Sequence, residues 1–495
     1  MITTSAALAL AAGLTFVNPA PAAAGPACPE VPGHRVVCGT VTRPLVPGEP
    51  RLGAIEVAYA LVARREPHRP ARGTIVVNPG GPGAAPIAWA GLYAQGLAPV
   101  LSDHDLLVID PRGTGRSTPL TCGVSSGPLM VTPRADLLRR VGRCGHRLGP
   151  RAEGYTSAAT ADDFDAVRAE LGIPKVTLLG QSYGTYLMAE YARRHPRTVE
   201  SIVLSGAYPL DFDSLGRPSA QAVSPALHRI CARSGACDGT RAVRDLATVA
   251  ARLRHSPAEI PVTVGGKSRT LRFTEDKLAF LIHSVASDNV GAEPGEVPLL
   301  GELPHALHRA ARGDDRPLAG LVTKATTGSP AQFADLGQPM AVICNDYPRT
   351  WPVNASYAQR VRAYERALRN TRPGEFGAFS AKGFAAAQGD AGDVCLRWPA
   401  RSTAGPDVTG GRFPDVPVLV LSGDLDAKTP DANGRRAAAQ FRGGVFVSVP
   451  NTGHLPEAEP SGCVRGIISA FIRDKKVGDT SCLAAIPPVK VLPVR

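Results

Sequence analysis

Aromatic residues make up only 5% of this 495-residue chain. The net charge of +12 comes from arginines scattered along the sequence, not from blocks. Without basic runs interleaved with aromatics there is no nucleic-acid signature, and the excess charge reads as a basic surface. No run of 18 consecutive apolar residues occurs, so no membrane span is expected. C-x-x-C pairs and Cys/His clusters are absent, which argues against a metal site. The turn Gly80-Gly81-Pro82-Gly83 lacks a further glycine at dinucleotide-loop spacing and no G-K-S/T follows it, so it does not read as a phosphate-binding loop and no cofactor is expected. Internal repeats are missing too.

Ala6 to Val17 is an apolar run of small residues and leucines, followed by Pro19-Ala20-Pro21-Ala22-Ala23-Ala24. This pattern resembles a secretory signal peptide over residues 1–24, although no Lys or Arg precedes Arg35. The ten cysteines fall into near neighbours. In an exported chain they are expected to pair sequentially, as Cys28/Cys38, Cys122/Cys144, Cys231/Cys237, Cys344/Cys395 and Cys463/Cys482. The expected location is extracellular.

The most informative stretch is Gly180-Gln181-Ser182-Tyr183-Gly184. Apolar Val176–Leu179 runs into it and a helical pattern runs out. A serine on a sharp strand-to-helix turn projects its hydroxyl above a sheet edge, and a Cβ at either flanking glycine would meet backbone. Ser182 is the expected nucleophile. Downstream, the strand Val416–Leu421 leads into Ser422-Gly423-Asp424-Leu425-Asp426. Asp426, deeper in the loop, is the expected acid, with Asp424 left to bond loop backbone. Strand Gly444–Val449 leads to Asn451-Thr452-Gly453-His454, and His454 is the expected base. Upstream, strand Thr74–Val77 precedes Asn78-Pro79-Gly80-Gly81-Pro82-Gly83. The N–H groups of Gly81 and Tyr183 are the expected oxyanion hole. Arg112 and Arg116, after strand Leu106–Ile109, are expected to brace their loop.

Strands alternating with helices imply an α/β class, with a mostly parallel sheet covered on both faces. The alternation breaks between about 210 and 415, and more than two hundred residues separate Ser182 from Asp426. The expected organisation is a core over 25–209, a mainly helical cap over 210–415 inserted before the acid-bearing strand, and the rest of the core over 416–495.

These motifs, with Asp110-Pro111-Arg112-Gly113-Thr114-Gly115-Arg116-Ser117 and the cysteine contexts Cys38-Gly39-Thr40-Val41 and Cys463-Val464, resemble the secreted tripeptidyl aminopeptidases. Those are relatives of proline iminopeptidase among the α/β-hydrolases. The resemblance implies cleavage of short peptides, tripeptides in particular, from free N-termini through an acyl-enzyme, without cofactor or metal. It further implies a cap carboxylate that pairs with the substrate's α-ammonium, for which Asp346 is the candidate and Asp211 and Asp213 the alternatives. The sequence departs from the family pattern at Leu455, Ser205 and Ala84-Ala85. A carboxylester hydrolase would use the same triad. A silent binding protein on the same scaffold is disfavoured by the intact catalytic set.

Overall fold

The computed structural model describes residues 28–494 apart from 67, 126, 289, 294, 328–334 and 400–411. The signal peptide expected over residues 1–24 lies outside the described residues. Eight described strands form one sheet: β1 (Val36–Pro44), β2 (Ala54–Val62), β3 (Gly73–Asn78), β4 (His104–Ile109), β5 (Val176–Gln181), β6 (Val199–Ser205), β9 (Val418–Gly423) and β10 (Gly444–Val449). Their order is β1-β2-β4-β3-β5-β6-β9-β10. Only the β1–β2 and β2–β4 pairings are antiparallel; from β4 to β10 the sheet is parallel.

Side chains on a strand alternate between faces, so a strand buried on both sides must be apolar throughout. Leu106–Ile109 of β4, Leu178-Leu179 of β5 and Val418–Leu421 of β9 meet that demand. Leu106, Val108, Leu179, Val203, Leu419 and Leu421 pack on one side with helices α1 (Ala90–Gly96) and α14 (Cys463–Asp474). Leu107, Leu178, Ile202, Leu204, Val418 and Val420 point the other way. That second face carries α3 (Ser157–Glu170), α4 (Tyr183–Arg194) and α13 (Asp431–Ala439). Helix α2 (Arg134–Leu148) joins the same core through Leu137 and Val141.

Between β6 and β9 run α5 (Arg217–Ser234), α6 (Gly239–His255), α7 (Glu275–Phe280), α8 (Leu299–Ala310), α9 (Arg316–Thr327), α10 (Gly337–Asp346), α11 (Tyr357–Arg369) and α12 (Ala381–Ala387). The same segment holds an antiparallel hairpin, β7 (Ala258–Val264) and β8 (Lys267–Phe273). Its two-residue turn, Gly265-Gly266, supplies the positive φ that a tight hairpin requires. The sequence carried this signal beneath the dominant helical pattern.

All five expected cysteine pairs are disulfide-bonded. Cys344–Cys395 closes 51 residues of chain, Cys231–Cys237 only 6. If loop-closure entropy dominates, removing the first destabilises the fold by about 4 kcal/mol and removing the second by about 2 kcal/mol. Denaturant unfolding of the two double-alanine variants checks this order; equal losses would refute it.

Candidate active site

The parallel register places the ends of β3, β5, β6, β9 and β10 along one edge of the sheet, and loops leaving that edge carry Ser182, Asp426 and His454. Ser182 sits between β5 and α4 with φ 53° and ψ −126°. Such backbone is strained for a residue bearing a Cβ. The Ser182 N–H donates to the Ser205 carbonyl at the end of β6 (2.9 Å), which fixes the turn against its neighbour.

His454 Nε2 lies 2.9 Å from Ser182 Oγ, and its Nδ1 lies 3.0 Å from Asp426 Oδ2. The three side chains expected from sequence are therefore in hydrogen-bonding sequence. Asp426 Oδ2 also accepts from the Thr429 hydroxyl at 2.6 Å. Its Oδ1 accepts the Lys428 and Thr429 backbone N–H groups, at 2.6 and 3.1 Å. Burial alone would raise the Asp426 carboxyl; the His454 imidazole and these donors outweigh it and hold the group below its ordinary range. Asp424 takes the other role expected of it: Oδ1 accepts the Asn451 N–H at 2.9 Å, and Oδ2 pairs with Arg233.

The glycine-rich loop after β3 lies directly over the nucleophile turn. A Cβ on Gly80 would stand 2.5 Å from the Gln181 carbonyl and 2.9 Å from the Tyr183 nitrogen. Only glycine permits that approach. Gly81, the next residue, lines the cleft with Ser182. Helix-start N–H groups, the Tyr183 N–H at the start of α4 among them, have no partner within the helix. Behind this loop, Arg112 is buried and braces the chain. Its guanidinium holds both oxygens of Asp163, each at 2.7 Å, and the carbonyls of Leu45 and Gly154.

The segment between β6 and β9 reaches into the catalytic loops. Ser287 accepts the His454 N–H on its carbonyl (3.0 Å) and the Ala427 N–H on its hydroxyl (3.0 Å). The Val290 carbonyl accepts the Gly453 N–H at 3.0 Å. No local signal in the sequence pointed to either residue.

Ser182 opens into a cleft of about 230 Å³ whose apolar lining includes Leu137, Phe212, Phe280, Met340 and Ile343. His283, from the π-helical turn after α7, also faces it. Burial, with Lys428 nearby, pulls His283 down to about 3, so it stays neutral. Asp346 is not in this lining, which corrects the expectation that it meets a substrate amine. It ends α10 fully inside the protein, and its Oδ2 accepts the Ser157 N–H at 2.5 Å. The Tyr186 hydroxyl bonds its carbonyl. Asp211 pairs with Arg436 at the surface. Asp213 lines the cleft, but Arg217 and two backbone N–H groups take its oxygens. Asp335 is held by the N–H groups of Cys122, Val124 and Gly337. Asp390 differs: among the described residues no cation pairs with its carboxylate, and the Tyr208 hydroxyl donates to Oδ2 at 3.1 Å. It lines the same cleft as Ser182. Sequence reasoning missed it because nothing around Gln388-Gly389-Asp390 marks it as other than a loop aspartate.

Two family models match the chain. One, for the alpha/beta hydrolase fold, covers residues 73–224, from the oxyanion loop past the nucleophile; the other, for a TAP-like protein, covers 381–482 with the acid and the histidine. A tripeptidyl aminopeptidase of Streptomyces lividans is 30% identical over 187 residues, 34% of this chain and 35% of that one. Serine protease Hip1 of Mycobacterium bovis is 34% identical over 160 residues, 29% of this chain and 31% of that one. The chain thus matches about a third of the length of these relatives. Carboxylesterase B of Mycobacterium tuberculosis is 27% identical over 482 residues, 90% of this chain and 86% of that one. The chain has the α/β-hydrolase fold expected from its sequence, and its resemblance to the tripeptidyl aminopeptidases is borne out.

Burial, partly offset by the Ser157 hydrogen bonds and reinforced by Glu190, raises the Asp346 carboxyl to about 7. A carboxyl raised on folding binds more protons in the native than in the unfolded state. Its contribution is therefore fully present below pH 4 and is lost as pH rises through 7. Asp346→Asn should flatten this decline, which is on the order of 1–4 kcal/mol between pH 4 and pH 8. Urea unfolding of both proteins across that range checks it, and identical slopes would show that Asp346 does not titrate there.

Proposed function

We propose that this α/β-hydrolase is a secreted serine aminopeptidase that releases short peptides, tripeptides in particular, from free N-termini. The observation that carries the reading is Ser182, His454 and Asp426 in hydrogen-bonding sequence at the floor of a cleft that also holds Asp390. Ser182 Oγ attacks the scissile carbonyl while His454 Nε2 takes its proton. Asp426 stabilises the imidazolium that results. The N–H groups of Gly81 and Tyr183 receive the oxyanion. His454 then protonates the leaving amine, and water releases the acyl group by the same steps in reverse order of roles. The helical segment 210–415 acts as a cap that shapes the cleft. Asp390 pairs with the substrate's α-ammonium, the role that Asp346 is too deeply buried to fill. Five disulfides, and described helices none of which is long and apolar enough to cross a membrane, support secretion.

A second reading is a carboxylester hydrolase, favoured by the alignment with carboxylesterase B over 90% of this chain. The two part over the need for a free amine. Fluorogenic mono-, di- and tripeptide amides, free and N-acetylated, should be compared with a short p-nitrophenyl ester. We expect turnover of free-amine peptides that acetylation abolishes and that Ser182→Ala lowers by about 10⁶-fold in kcat. Ester turnover without any amide cleavage would replace the first reading by the second. Asp390→Asn should cut kcat/KM for free-amine peptides by about a hundredfold, because a desolvated ammonium loses its counter-charge, while leaving ester hydrolysis nearly unchanged. Equal losses on both substrates would remove Asp390 from amine recognition.

A further inference from the structure

We propose that a second cleft, on the flank of α2, binds an oxyanion of phosphate chemistry. It has a volume of about 650 Å³ and shares no lining residue with the catalytic cleft. Helix α2 separates the two: Leu137 faces the catalytic cleft, whereas Arg139, Arg143 and His146 face this one. Across from them stand Arg397 and Arg360. No carboxylate lines it among the described residues.

The backbone is arranged to bring these cations together. A Cβ on Gly142 would stand 2.9 Å from Arg397 Cβ, and one on Gly145 would stand 2.4 Å from Pro399 Cδ. Glycine inside a helix is unfavourable. Here it lets α2 lie flat on residues 397–399, so that Arg143 and Arg397 flank one opening. The Cys344–Cys395 disulfide anchors the start of that segment.

Arg360 forms the floor and is only 4% exposed. Nε donates to the Ala355 carbonyl at 2.8 Å, and Nη1 to the carbonyls of Leu396 (3.4 Å) and Trp398 (2.5 Å). These dipoles orient the guanidinium, but among the described residues no carboxylate neutralises it. Burial acts on it unopposed and depresses its pKa. A buried, unpaired cation is costly, and an anion entering the cleft would supply its counter-charge. Arg397 is set in place over the Tyr357 ring, 5.0 Å from its centre. Arg139 is paired with Asp136 on its own helix, whereas Arg143 and Arg397 have no ion pair among the described residues. The start of α11, with Ser356 and Gln359 in a capping box, also borders the cleft and adds positive potential. Arginine forks suit phosphate oxygens in particular.

The test is calorimetric titration of the full chain with inorganic tripolyphosphate at low salt, comparing two double variants that remove equal charge. Arg143→Ser with Arg397→Ser alters the cleft. Arg269→Ser with Arg272→Ser removes two exposed arginines of β8, outside the cleft. We expect saturable one-to-one binding, weakened about tenfold or more by the cleft variant alone, with an unchanged unfolding midpoint. Absence of saturable binding, or equal weakening by both variants, would overturn the proposal, the second outcome showing only the attraction of a basic surface.

Discussion

Asp426 is a carboxylate kept ionised inside the protein, and the catalytic edge depends on how that is done. A lone charge there would be expelled or protonated. Two backbone N–H groups, a threonine hydroxyl and an imidazole satisfy it instead. Because every donor but His454 comes from Lys428 and Thr429, the loop that carries the acid also folds around it. His454 is then the one group through which this charge reaches Ser182. The geometry of the nucleophile is thus referred back to a four-residue turn after β9, and the strained backbone of Ser182 is tolerable because β6, on which it leans, is the direct neighbour of β9.

The parts legible in the sequence share one property. Ser182, Asp426 and His454 each follow a short apolar strand and sit in a turn whose glycines and prolines announce its shape. The parallel sheet collects those turns at one edge without further information. That Ser182, His454 and Asp426, rather than Asp424, come into hydrogen-bonding sequence could be read because strand, loop and order along the chain all agreed. The cysteine pairs were legible for a similar reason, near neighbours in sequence being near neighbours in space.

What stayed illegible depends on which way a helix faces. Asp346 stands at the end of α10, and the sequence could place it beside Cys344 but could not say that its carboxylate turns inward to Ser157. Asp390 and His283 reach the cleft through the packing of α7 and α12 on other helices, a tertiary fact without a local period. Ser287 and Val290 touch the catalytic loops with main-chain carbonyls, which any residue provides. The β7–β8 hairpin is a different case: its Gly265-Gly266 turn was visible, but helical patterns on both sides dominated the reading.

The backbone contacts from Ser287 and Val290 to Gly453 and His454 bear on how such enzymes diversify. Carbonyls hold the histidine loop, so the identity of the residues bearing them is free to drift while the path of the chain is not. Substitutions across the insertion can remodel the lining of the cleft without loosening the imidazole. A transplanted insertion of different length, however well its side chains suit a new substrate, would shift those two carbonyls and leave the histidine loop without its outer support. Recombination between such proteins is therefore constrained by main-chain trajectory at two points rather than by any motif that an alignment would reveal.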